Sequence, residues 1–189
     1  VKSIESQLAK KAKGGDRSAF NELVQRYSSK IYNLAYRMLG NVQESEDVVQ
    51  ETFLRVYKNL ASYNPTHKFS TWIYRIGTNL CIDRLRKRKP IYSLDMERED
   101  GEGVDGYAVI ASDEKTPEME LILSETQLSI REAIQSLPDK YKSVVILKYF
   151  QDLSLQEISE ILDMPVTTVK TRIHRGREYL RRKLQHQQL

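Results

Sequence analysis

PVTTVKTRIHRGREYLRRKL, residues 165–184, carries seven Lys or Arg against a single Glu. Apolar Val169, Ile173, Leu180 and Leu184 recur at helical spacing, and the small Gly176 shares their stripe. The other face holds Thr167, Lys170, Thr171, His174, Arg175, Glu178 and Arg181. Pro165 suits a helix start, where its missing N–H costs nothing. One face of this helix packs on something; the other meets a polyanion or water. Just upstream, LSLQEISEIL (153–162) repeats Leu155, Ile158, Ile161 and Leu162 at the same spacing. Ser154 followed three residues later by Glu157 is a capping-box pattern, so this stretch is a second helix. The break at Asp163–Met164–Pro165 joins the two into a helix-turn-helix, whose second helix enters a DNA major groove. The turn lacks the usual Gly, so it is the basic outer face that favours DNA over a plain helical hairpin.

The rest of the chain narrows the classes further. With 189 residues and 40% apolar content, it has room for one or two small cores. No apolar run approaches the roughly 20 residues of a membrane span, and no signal peptide is visible; a cytoplasmic location without membrane insertion is expected. Cys81 is the only cysteine, which excludes an internal disulfide and a Cys-rich zinc site. His67, His174 and His186 are scattered, and no Gly-rich phosphate loop or nucleophile–base signature is apparent. No metal, cofactor or catalytic residue is therefore expected.

The net charge of +4 hides three blocks: +9 over residues 1–93, −8 over 94–120 and +3 over 121–189. The acidic stretch LDMEREDGEGVDGYAVIASDEKTPE has three Gly and few large apolar residues, and reads as a flexible linker. The expected organisation is all-α: a helical domain at 1–92, an acidic linker at 93–118 and a helix-turn-helix domain at 119–189. In the last, MELILSETQLSIREAIQSL is helical up to Leu137–Pro138. KYKSVVILKYF is rich enough in β-branched residues for a strand, but its neighbours are helical and a short helix is preferred.

In the first domain, Phe20, Leu23, Val24, Tyr27, Ile31, Leu34, Ala35 and Met38 mark one helix, which Gly40 closes. Val48, Val49, Phe53, Val56, Tyr57 and Leu60 mark the next, with Glu44, Glu46 and Asp47 in its first turns, where the helix dipole favours acid. After a break at Asn64–Pro65, a third helix begins near Ser70, its candidate N-cap, and buries Phe69, Ile73, Ile76 and Leu80. It carries Trp72, Tyr74 and Arg75 early and RLRKRK at its end. Aromatics beside cations suit single-stranded nucleic acid, because bases stack on rings while Lys and Arg neutralise phosphates. A core role for Trp72 and a solvated helix end remain the alternative.

Residues 36–89, YRMLGNVQESEDVVQETFLRVYKNLASYNPTHKFSTWIYRIGTNLCIDRLRKRK, resemble region 2 of the bacterial RNA polymerase sigma factors. Residues 137–184 resemble region 4, in the same order, and regions 1 and 3 have no counterpart. The chain is thus similar to the small extracytoplasmic-function (ECF) class, within it the sigma-W-like group. The resemblance implies an alternative sigma factor that binds core polymerase through its β and β′ subunits, recognises the −35 and −10 promoter elements, melts the −10 DNA and serves envelope-stress genes. It also implies a membrane-anchored anti-sigma factor. Asp47, Gln50 and Glu51 match the contact with the β′ clamp helices. Tyr63, Asn64, Pro65, Thr66, His67 and Lys68 match the loop that pockets a flipped −10 base. Arg75 and Asn79 match residues facing the non-template strand, next to Trp72, whose ring is placed with the −10 single strand for its stacking chemistry, and Arg84, Arg86, Lys87 and Arg88 match phosphate holders. Thr167, Thr168, Lys170, Thr171, His174 and Arg175 match the −35 readers, Arg or Lys to guanine being the commonest direct readout. Arg172 and Arg177 lie nearer the buried stripe, where backbone contacts or packing are expected. The acidic linker resembles the segment that threads toward the polymerase active site. The chain itself makes and breaks no bond on this reading. A stand-alone regulator that dimerises on duplex DNA is the rival, although Leu180 and Leu184 are too few for a zipper; an RNA-processing enzyme is more remote.

Overall fold

The computed structural model describes residues 3–88 and 125–186. The acidic linker lies outside them, as do the ends of the expected domains. Among the described residues the protein is all-α, as expected. Helix α1 spans Ile4–Lys13, α2 Arg17–Leu39, α3 Val42–Asn59 and α4 Phe69–Arg88, with a 3-10 turn at Leu60–Ser62. Helix α5 spans Glu125–Gln135, α6 Asp139–Tyr149, α7 Leu155–Leu162 and α8 Val166–His186.

Side chains that accept the orphan N–H groups of the first turn set the helix starts. Asp16 accepts from Ala19 and Asn41 from Glu44. Gly40 ends α2 in the left-handed conformation, at φ 68°, as its position after Leu39 predicts. Ser70 is not a cap. Helix α4 already begins at Phe69, and the Trp72 N–H returns to the Lys68 carbonyl at 3.3 Å. Helix α1 has no counterpart in the sequence reading; its short apolar stripe, Leu8, Ala9 and Ala12, is buried.

The first unit packs α2, α3 and α4 around Leu23, Tyr27, Ile31, Leu34, Val48, Val56, Phe69 and Ile73. The second packs α6, α7 and α8 around Val144, Leu147, Ile158, Ile161 and Val169. Helix α6 resolves the strand-or-helix choice for KYKSVVILKYF. Residues 142–147 are all buried, because α7 and α8 cover α6 on one side and α2 and α4 on the other. A helix enclosed all round has no need of an amphipathic period, which is why its run imitates a buried strand. The two units are therefore in contact, with α4 against α7 and α2 against α5 and α6.

Candidate nucleic-acid interface

The helix-turn-helix is built from local bonds. Ser154 Oγ accepts the Glu157 N–H at 3.2 Å, and Glu157 Oε2 accepts the Ser154 N–H at 2.9 Å, closing the expected capping box of α7. The turn manages without glycine because Asp163 takes the left-handed conformation itself, at φ 52°, which Asp tolerates better than most residues. The Ser159 hydroxyl donates to the Met164 carbonyl at 2.6 Å and the Met164 N–H to the Ser159 carbonyl at 3.2 Å, so the turn is fastened twice. Pro165 then opens α8, its carbonyl accepting the Val169 N–H at 3.1 Å.

Helix α8 has the two faces its sequence predicts. Val169, Ile173 and Gly176 are buried, while Thr167, Lys170, Thr171, His174 and Arg175 are exposed and Thr168 is half-buried. A Cβ at Gly176 would lie 2.6 Å from Val145 Cγ2. Glycine is what lets α8 approach α6 so closely. Arg172 is half-buried as expected, but Arg177 is exposed. It stands at the edge of the stripe, and its long side chain reaches water. The Thr171 hydroxyl donates to the Thr167 carbonyl at 3.0 Å. Among the described residues, the one ion pair on α8 is Arg181–Glu178, at 3.0 Å; Lys170, Arg172, Arg175 and Arg177 have none.

The second surface lies on the loop 63–68 and α4. Tyr63 is not accessible to a base: it is 2% exposed, with its ring 5.0 Å from Trp72 and 5.6 Å from Phe69. Its hydroxyl donates to the His67 carbonyl at 2.7 Å, so it pins the loop from beneath. Asn64 Oδ1 accepts the Thr66 N–H at 3.0 Å, and the His67 N–H returns to the Asn64 carbonyl. The loop is thus a fixed turn whose Asn64, Pro65, Thr66, His67 and Lys68 side chains stand exposed. Sequence reasoning missed Lys13 of α1, which donates to the Tyr63 carbonyl at 3.2 Å and holds the loop's first residue. Trp72 is half-buried, one side against Tyr63. With exposed Arg75 and Asn79 it forms a stripe at helical spacing, so the structure brings these three together.

The basic end of α4 is arranged differently. Arg88 pairs with Glu44 and donates to the Leu39 carbonyl at 3.0 Å; Arg84 lies 3.8 Å from Asp47. Arg86 reaches Asp83 at 3.7 Å. Of the four expected phosphate holders, two are thus turned onto α3. Asp47, Gln50 and Glu51 share one partly exposed face of α3, at the rim of the groove that Arg84, Lys87 and Arg88 also line. The hydrogen bond from Arg55 holds the Glu51 carboxyl below its usual range.

The chain thus joins a helix-turn-helix whose outer face leaves Lys170 and Arg175 without an ion pair among the described residues to a bundle bearing an aromatic–polar–basic stripe. The Sigma-70 region 2 family matches residues 23–91 and the Sigma-70 region 4 family residues 127–180. The chain is 54% identical over 175 residues to the ECF RNA polymerase sigma factor SigW of Bacillus subtilis, covering 93% of this chain and 94% of that one. Its fold resembles that of CnrH in complex with the cytosolic domain of CnrY, with a TM-score of 0.74 at 23% identity, covering 97% of this chain and 99% of that one. It also resembles the sigma factor RpoE in complex with the anti-sigma factor NepR from Bartonella quintana, with a TM-score of 0.64 at 19% identity, covering 88% and 96%. The chain belongs to the ECF sigma factors of the sigma-70 family. It is a transcription initiation factor. Helix α1 precedes both family matches.

Proposed function

We propose that promoter recognition is divided between the two units as follows. Lys170, Thr171, His174 and Arg175, with Thr167 and Thr168, read the −35 duplex; Arg172 and Arg177 hold its backbone. Asn64 to Lys68 form the −10 pocket over a Tyr63 floor, and Trp72, Arg75 and Asn79 take the opened strand. Arg86 and Lys87 hold phosphates, while Arg84 and Arg88 chiefly order the α3–α4 groove. Asp47, Gln50 and Glu51 dock on the β′ subunit, and region 4 engages β. The units correspond to residues 1–92 and 119–189, with 93–118 as the tether that lets them span both elements. All bond making is left to the polymerase core. No helix among the described residues is long and apolar enough to cross a membrane, and a cytoplasmic site of action follows from the work itself. Control by an anti-sigma factor, and a regulon of envelope-stress genes, complete the proposal; similarity to SigW and to the anti-sigma-bound RpoE supports them.

The observation that carries this reading is the exposed face of α8, whose cations at 170 and 175 have no acidic partner among the described residues. Run-off transcription tests it. Added to bacterial core polymerase with a pool of promoter fragments, the protein is expected to yield specific transcripts that core alone does not make. Duplex binding as a dimer, without core binding or transcripts, would replace it with the stand-alone regulator.

A further inference from the structure

Glu157 has two roles. Its Oε2 closes the α7 cap on the Ser154 N–H at 2.9 Å, while its Oε1 accepts Lys68 Nζ of the other unit at 2.8 Å. Close by, the hydroxyl of buried Tyr74 on α4 donates to Gln151 Oε1 at 2.8 Å. Behind these, the Arg37 guanidinium lies 4.4 Å over the Phe150 ring, and the Arg37 carbonyl accepts Gln135 Nε2 at 2.7 Å. Arg131 covers the Tyr36 ring at 4.8 Å. All five contacts cross between the units. Lys68 ends the exposed loop, and Tyr74 lies in the first turns of the helix that follows it. The −35 face of α8 takes no part and stays exposed.

From this geometry we infer that the helix-turn-helix unit latches onto the −10 loop, so that the free chain keeps its −35 surface open while opposing capture of the −10 strand. The inference rests on the proposed role of residues 64–68. The Lys68 side chain is 71% exposed and its ammonium keeps donors to spare, so a phosphate can reach it, but only beside the Glu157 carboxylate. The carboxylates of Glu157 and Glu160 on α7 act on Lys68, as does Glu5 of α1; those on α7 are the ones the helix-turn-helix unit adds, and they repel a polyanion brought to Lys68. Strand capture and latch opening are then one linked equilibrium: whatever favours one favours the other by the same factor. The order of events follows, with duplex contact available before the latch opens and single-strand contact after it.

The cap chemistry supplies a clean test. Gln at a capping-box third position still accepts the N-cap N–H, so Glu157→Gln keeps the α7 cap and removes the charge that holds Lys68. The readouts are energy transfer between dyes at Asn21 and Gln185 in the free full-length chain, and the rate of open-complex formation when chain, core and promoter are mixed. An exposed ion pair shifts such an equilibrium by about two- to fivefold, so Glu157→Gln is expected to lower transfer and to speed assembly by that factor at equal final yield. Adding Gln151→Ala is expected to take the shift to about tenfold. Lys68→Gln is expected to lower transfer as much as Glu157→Gln, and the double variant no further, because both remove the same bond. Unchanged transfer in Glu157→Gln/Gln151→Ala, or additive effects of the Lys68 and Glu157 changes, overturns the latch. Lowered transfer with an unchanged assembly rate overturns its opposition to strand capture. Normal open-complex yield from Lys68→Gln, with lowered transfer, overturns the −10 role of the loop and leaves the latch standing.

Discussion

The end of α4 and the outer face of α8 carry similar runs of positive charge and put them to different uses. On α4, Arg84 and Arg88 turn onto Asp47 and Glu44 of α3. On α8, Lys170, Arg172, Arg175 and Arg177 have no ion pair among the described residues. The difference lies in the neighbours. Helix α3 brings an acidic first turn against α4, whereas α6 meets α8 through the Val145 and Tyr141 side chains. The carboxylate of Glu157 on α7 is engaged with Lys68. A charge run therefore gives the number of cations and says nothing of how many are free. Free cations release counterions when they meet phosphate; paired ones must first exchange one partner for another, and gain less.

The free cations of α8 should matter most for DNA affinity. Arg175→Ala should weaken holoenzyme binding to a −35 duplex by about 1–3 kcal/mol and relax base preference at one position. Lys170→Ala should lower the salt dependence of log K by about one unit. Titration of labelled promoter fragments at several salt concentrations checks both. Unchanged affinity and slope in the two variants would remove α8 from the DNA.

Next comes the support of that face. Gly176→Ala places a methyl 2.6 Å from Val145 Cγ2 and 3.4 Å from Tyr141 Cβ. Val145 is β-branched and 1% exposed, so it has little room to rotate away. Overpacking of about 1–3 kcal/mol, less about 1 kcal/mol of regained helix propensity, leaves a net loss of about 1 kcal/mol in thermal or urea unfolding. Val145→Ala in the same chain should return most of it. No change in the single variant would mean that α6 and α8 separate freely.

How much of this was legible in the sequence depends on distance along the chain. The α7 cap, from Ser154 to Glu157, and the αL closure at Gly40 were readable because both partners lie within a few residues. So was the division of α8 into two faces. The burial of Tyr63 was not readable: its position in the loop motif implied exposure, while Phe69 and Trp72, six and nine residues on, enclose its ring. The pairing of Arg88 with Glu44 spans 44 residues and needs the α3–α4 packing first. Helix α1 escaped because three small or medium apolar residues among lysines make a weak period. Glu157 was readable as a cap but not as the partner of Lys68, since nothing local marks a second use of one carboxylate.

On the paired side, Arg88→Met should cost stability rather than DNA affinity. It removes the donor to the Leu39 carbonyl and the partner of Glu44, and so loosens α4 from the α2–α3 corner. Both charged side chains are about a third exposed, so solvent screening limits the loss to about 1 kcal/mol. The urea midpoint should fall, while the salt slope for holoenzyme on a −10 fork stays where it was. A lower slope with an unchanged midpoint would reverse the assignment.

Arg84→Gln gives the smallest effect and the sharpest comparison. Its nitrogen is 3.8 Å from Asp47, with side chains 30% and 45% exposed, so the pair contributes at most a few tenths of a kcal/mol to stability. Its interest lies in the salt slope. If the pair persists on the promoter, removing Arg84 leaves the slope unchanged, and the Arg84 side of α4 is a structural edge of the groove. A fall of about one unit would mean that Arg84 leaves Asp47 for a phosphate. Asp47 would then be released toward the β′ subunit by the same movement, and DNA contact and core contact would be coupled through one ion pair. Asp47→Asn separates the two cases: a static pair makes it nearly neutral for DNA, whereas an exchanging pair makes it strengthen phosphate binding, because Arg84 no longer has a competitor to leave.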